Sequence, residues 1–187
     1  MSDEWPVWAR QPVEIVDPDP RWQRLGRDLA TRLTRRLSPW LAGRVEHVGS
    51  TAVPGLAAKP VIDLLAPVIS LVEDVRLEVT LVELGYELVP PELDARPWRR
   101  LYVLPDGERR HAHLHLVARD HPRWRRTLVF RDRLREHPEM AAEYARVKRE
   151  AAAAHEHDRE AYTAAKTDFV ERVLTWPPPA PHEGPHG

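Results

Sequence analysis

The chain has 187 residues, 42% hydrophobic and 30% charged, enough for one domain with a real core. Its 28 lysines and arginines against 29 aspartates and glutamates leave no global field for nucleic acid or an anionic membrane. Cysteine is absent, which excludes disulfides and thiolate chemistry and fits a reducing cytosol. The N-terminus, MSDEWPVWAR, lacks the apolar stretch of a secretory signal, and no apolar run approaches the about 20 residues of a membrane span. The expectation is a single cytoplasmic domain over residues 1–176.

In chain order, VEIV (13–16) is a short β-branched run ended by DPDP. From Pro20 the spacing is helical, with Leu25, Leu29, Leu33 and Leu37 on one stripe and Pro39 closing it. Residues 44–48 (RVEHV) read as a strand running into Gly49, and 61–69 (VIDLLAPVI) are apolar on both parities, as a strand covered on both faces would be. Helical spacing returns over 71–84 with Gly85 as its cap, and YELVPPE is a short strand stopped by prolines. Residues 98–104, the turn PDGE and 109–118 form a predicted hairpin. Helices are expected over 122–136, 138–155 and 158–175, and the proline-rich tail 177–187 is too poor in apolar residues to fold. Strands mixed with helices, then a helical C-terminal third, indicate an α/β or α+β fold.

Three features carry chemistry. His111, His113 and His115 alternate with Ala112, Leu114 and Leu116, so one strand face bears three imidazoles. Such neighbours can share a metal or a phosphate, and the plainer alternative is a solvent-facing edge strand. Asp63 lies between Val61, Ile62, Leu64 and Leu65, where a carboxylate is costly unless paired or metal-bound. Upstream, Gly49 and Ser50 form a turn whose amides suit a phosphate, and Lys59 supplies charge nearby. Lysine occurs only at Lys59, Lys148 and Lys166; every other basic residue is arginine. Those three are therefore candidates for positions that need a compact ammonium, although chance retention accounts for any single one.

Val48, Gly49 and Ser50 followed by Asp63 on the next strand resemble the Gly-Ser signature of the nucleotidyltransferase fold. More narrowly, EHVGSTAVPGLAAKPVIDLL (46–65), ELGYE (83–87), HLHLV (113–117), FRDRLREHPE (130–139) and the Tyr144/Lys148 and Tyr162/Lys166 pairs resemble the GrpB family, also found fused to dephospho-coenzyme A kinases. The resemblance implies a nucleotidyltransferase-like mixed β-sheet flanked by helices. It also implies nucleotidyl transfer from an NTP to a small acceptor, with Gly49, Ser50, Thr51, Lys59, Arg131 and Lys148 toward the nucleotide.

Nucleotidyltransferases hold two Mg²⁺ ions on paired carboxylates, but here Leu65 takes the second acidic position. Asp63 as the catalytic carboxylate, with His113 and His115 as co-ligands, suits one divalent ion, Mg²⁺ or a softer Mn²⁺, Zn²⁺ or Ni²⁺. Glu46 and His47 fall on opposite strand faces, so at most one of them faces Asp63. Arg131, next to Asp132, is open to two roles, a phosphate contact or a surface ion pair. A non-catalytic ligand-binding or accessory module on the same fold is the alternative function. Nucleic-acid binding through RWRRTLVFRDRLR (123–135) stands behind both, because the overall charge is neutral.

Overall fold

A computed structural model describes residues 6–10, 14–155 and 158–176. The expected tail at 177–187 and the first residue of the VEIV run lie outside the described residues. Within that run, Val16 makes only an isolated antiparallel bridge to Ala58.

The first helix, α1 (Arg21–Arg36), starts after Pro20 and Asp19, whose carboxylate accepts from the Arg21 amide. Its buried stripe is Trp22, Gly26, Ala30 and Leu33, continuing to Leu37, while Leu25 and Leu29 pack at its edge. The stripe is rotated from the leucine row because two small residues let the helix lie close on the sheet. The next helix, α2 (Val75–Glu83), begins later than its apolar spacing does, since Asp74 caps it by accepting from the amides of Arg76 and Leu77.

Five strands, β1 (Glu46–Val48), β2 (Ile62–Val68), β3 (Glu87–Leu88), β4 (Arg99–Asp106) and β5 (Arg109–Ala118), form one sheet in the order β1-β2-β5-β4-β3. The β2–β5 pair is parallel and the other three are antiparallel, so the sheet is mixed. The histidine strand β5 is thus central rather than an edge. Ile62, Leu64, Ala66, Ala112, Leu114 and Leu116 pack with α1 and α2 in the main core.

The other face explains why β2 is apolar on both parities. Leu65 and Val117 pack with Val48 beneath Trp98, Trp124 and Leu128. Asp63 is the exception in that row, and the candidate site opens there. Of the C-terminal helices, α3 (Pro122–Glu136), α4 (Pro138–Ala154) and α6 (Thr167–Thr175) supply a second core with Val53, Leu56 and Ala57, while α5 (Arg159–Ala164) packs Tyr162 against Ala151 of α4. The helix expected over 158–175 is broken at Ala165–Lys166.

Candidate functional site

Strand register assembles the centre. Asp63 on β2 lies opposite His113 on β5, and Leu65 opposite His115. Asp63 Oδ1 stands 3.0 Å from His113 Nδ1 and 3.6 Å from His115 Nε2. The three side chains are only partly exposed and offer ligand atoms within 4.8 Å of one another. Burial opposes the charge on Asp63, but hydrogen bonds from His113 and His115 hold it well below the usual carboxylate range.

The Gly-Ser turn is built against this carboxylate. Gly49 has φ +70°, and a Cβ there would stand 2.5 Å from Asp63 Oδ2, so only glycine permits both the turn and the approach. The next residue, Ser50, is hydrogen-bonded to Tyr144, which stacks on Phe169 and meets Phe130 edge-on. Thr51 is buried and committed to structure. Its hydroxyl donates to the Val61 carbonyl at 3.2 Å, so its oxygen accepts from His47 Nε2 at 3.1 Å. Burial pushes His47 down to about 4, leaving it neutral, and its ring lies on α1 directly over Gly26.

A cleft of about 720 Å³ opens over the centre, within the range of small-molecule sites. Gly49, Ser50, Asp63, His111, His113 and His115 line it, as do all three lysines of the chain. Lys59 and Lys166 both lie over the Tyr162 ring, at 4.6 and 3.7 Å, and Lys148 lies over Tyr144 at 4.8 Å. Lys148 is buried and donates to the Ala57 carbonyl. Burial, with Lys166 and Arg149 nearby, pushes it down to about 7. The retained lysines are therefore gathered in one place.

Arg131 is placed elsewhere. Its guanidinium donates to Glu46 at 2.9 Å, to the His47 carbonyl at 3.0 Å and to Asp132 at 2.7 Å, and it is not among the residues lining the cleft. Glu46 shares the strand face of Asp63, opposite Leu65, but Arg131 and Arg44 both hold it. His47 points to the other face, as alternation requires.

One partner of the centre had no signal in the sequence. Arg99, gripped by Asp94 at 2.7 and 2.8 Å, lies 2.6 Å from His115 Nδ1. A guanidinium only donates, so that nitrogen accepts, and the neutral ring carries its proton on Nε2, toward Asp63. Burial is the main cause of the lowered His115 pKa; Asp63 opposes it and Arg99 reinforces it.

The sequence matches the family described as GrpB protein over residues 12–175. The chain belongs to the GrpB family. It is 37% identical to a UPF0157 protein of Pseudomonas aeruginosa over 166 residues, covering 87% of this chain and 66% of the relative. It is 32% identical to a protein named dephospho-CoA kinase from Mycolicibacterium paratuberculosis over 194 residues, covering 90% of this chain and 47% of that one. The crystal structure of conserved protein GrpB from Enterococcus faecalis superposes with a TM-score of 0.70 at 30% identity, covering 86% of this chain and 94% of that one. This GrpB chain thus spans less than two thirds of the length of some relatives, down to about half. Among its described residues, no helix is long and apolar enough to cross a membrane.

Proposed function

We propose that this GrpB protein binds a nucleoside triphosphate with one divalent ion in the cleft and transfers the nucleotidyl group to a small acceptor. The observation that supports it most directly is the convergence of Asp63, His113 and His115 beneath the lysine-lined wall. One carboxylate and two imidazoles suit Mn²⁺, Zn²⁺ or Ni²⁺ better than a pair of Mg²⁺ ions. His113 Nδ1 now donates to Asp63, so an ion at that nitrogen needs the ring proton moved to Nε2. His115 could ligate through Nε2 only with its proton on Nδ1 and Arg99 moved off that nitrogen. Bound there, the ion would offset phosphate charge at the reacting phosphorus.

The protein's own groups do the rest. The Gly49–Ser50 turn abuts Asp63, so a phosphate at its amides lies beside the ligand set. Thr51 keeps the turn in shape from beneath, and Lys59 and Lys148 bring positive charge to the cleft. Arg131 supports the same turn by holding the His47 carbonyl and has no phosphate role in this reading.

A ligand-binding module without turnover is the second reading. Leu65 favours it, because the one carboxylate facing it across the strand pair, Glu46, is neutralised by two arginines. The test is calorimetry with ATP, GTP, CTP and UTP, each with Mn²⁺ or Mg²⁺, on wild type and Asp63→Asn. Metal-dependent binding that is lost in the variant, with folding intact, is expected. Absence of binding for every nucleotide and ion would sink the proposal, and tight binding with no product from any acceptor would favour the module.

A further inference from the structure

Transfer to a hydroxyl or amine acceptor needs a group that takes the acceptor's proton, and the cleft's carboxylates are spoken for. Leu65 occupies the strand position where a second acid would stand. Asp94 is bound by Arg96 and Arg99, and Glu160 by Arg96. Glu14 and Asp106 line the cleft but are exposed to solvent. Asp63 faces both histidines and is held in its charged form, which makes it a ligand and a poor base.

Lys166 is placed differently. The break between α5 and α6 turns it into the cleft wall, half-buried, with Nζ over the Tyr162 ring. The groups around it come from four elements: Lys148 from α4, Tyr162 from α5, Asp63 from β2, and Lys59 from the loop before β2. Among the described residues no carboxylate lies within ion-pair distance of Lys166 or Lys148. Two ammonium groups that share a wall without a paired anion favour release of a proton from one of them.

We propose that Lys166, as the free amine, is the base that takes the acceptor's proton, in place of the second carboxylate that Leu65 has displaced. The proposal rests on the nucleotidyl-transfer reading above. In the step, the acceptor's O–H or N–H bond breaks and its proton joins the Nζ lone pair. The freed oxygen or nitrogen bonds to the α-phosphorus, and the α–β bridging P–O bond breaks with its electron pair leaving on pyrophosphate. The ammonium so formed then lies in the same cleft as a departing polyanion, which offsets its charge.

Burial pushes the Lys166 amine down to about 8, with Asp63 pulling the other way. Lys148 and His111 are the competing bases. Lys148 lines the same cleft and is pushed down to about 7, although its amine is directed at the Ala57 carbonyl. His111 lines the cleft from the hairpin.

Two measurements test the proposal. The first is labelling of the full chain by trinitrobenzenesulfonate across pH 6–11, read lysine by lysine from peptide masses. The three lysines make this unambiguous. Lys166 is expected to half-react near pH 8, on the order of tens-fold faster at that pH than lysine in an unfolded peptide. The Lys148 midpoint, held down in part by the Lys166 charge, should rise in Lys166→Gln. An ordinary lysine midpoint at Lys166 overturns the proposal.

The second is AMP release from ATP with Mn²⁺, water standing in as acceptor. The acid limb of the kcat/KM profile is expected to vanish in Lys166→Gln and persist in both His111→Gln and Lys148→Gln, with calorimetric ATP affinity kept within a few-fold. An unchanged limb in Lys166→Gln, or its loss in His111→Gln or Lys148→Gln alone, overturns the base role. Absence of any ATP binding defeats the functional reading and the base role together. Low-pH labelling of Lys166 tells that case apart from failure of the amine itself.

Discussion

Replacing Gly26 by alanine sets helix propensity against packing at one position of α1. On propensity the change stabilises, by about 1 kcal/mol. The added Cβ, however, would stand 2.1 Å from His47 Nδ1 and 2.4 Å from its Cε1 and Cγ. Contacts of this kind sit at about 3.5 Å, so the ring must retreat by about 1.4 Å. It has little room, being 7% exposed and hydrogen-bonded to Thr51 beneath the Gly-Ser turn. Overpacking of this sort costs about 1–3 kcal/mol, and loss of the Thr51 bond adds about 1 kcal/mol. The expected net loss is about 2 kcal/mol, or a fall in Tm of about 4–8 °C for a chain of this size. Urea and thermal unfolding of Gly26→Ala, His47→Ala and the double variant measure it. With His47 truncated the alanine should turn neutral or stabilising, giving a coupling energy of about 3 kcal/mol. Were Gly26→Ala as stable as wild type, or its cost unchanged in the His47→Ala background, the packing account would be refuted.

The remaining predictions concern the site and its supports. Gly49→Ala should cost about 1–2 kcal/mol in backbone strain, because φ is +70°. It should also lower Mn²⁺ affinity by about tenfold or more by displacing Asp63, as read by calorimetry; undiminished affinity would contradict the close approach. His47 has a folded pKa of about 4, below its unfolded 6.5, so its contribution is complete above pH 6.5 and is lost as pH falls toward 4. Urea midpoints should fall across that window, by up to about 3 kcal/mol in stability, and His47→Gln should flatten the fall. Arg131→Met should destabilise by about 1–3 kcal/mol while leaving nucleotide affinity within about threefold. A collapse of affinity in a folded Arg131→Met protein would restore a phosphate role.

The order of strands and helices was legible because local patterns carry it. The double apolar parity of β2, the hairpin turn and the alternation of β5 each depend on near neighbours. Asp63 and the histidines stood out for the same reason, as polar residues in strongly patterned strands. What stayed hidden depends on contacts far apart in sequence. The destination of Arg131 was set by Glu46, some eighty residues away. The pairing of Asp94 and Arg99 at His115 depends on the hairpin's register and on how the loop before β4 folds back, neither of which a local signal states. Gly26 carries no local signal of its role, because His47, the ring above it, comes from another element. The break at Lys166 lies in a run of alanines and polar residues with no glycine or proline to mark it. The unusual scarcity of lysine was the compositional hint that reached furthest.

The parallel pairing of β2 with β5 has a consequence for how the protein tolerates change. Asp63 and His113 meet only after the chain has made an excursion through α2, β3 and β4. That excursion can lengthen at its loops at modest entropic cost, since loop closure grows only slowly with length. The pairing is the least local of the sheet's strand pairings and so the slowest of them to be rewarded during folding. A ligand held jointly by the two strands binds nothing that lacks this pairing, and it stabilises the closed topology by mass action. Occupancy of the cleft would thus serve as a folding checkpoint, reporting completion of the sheet's central joint.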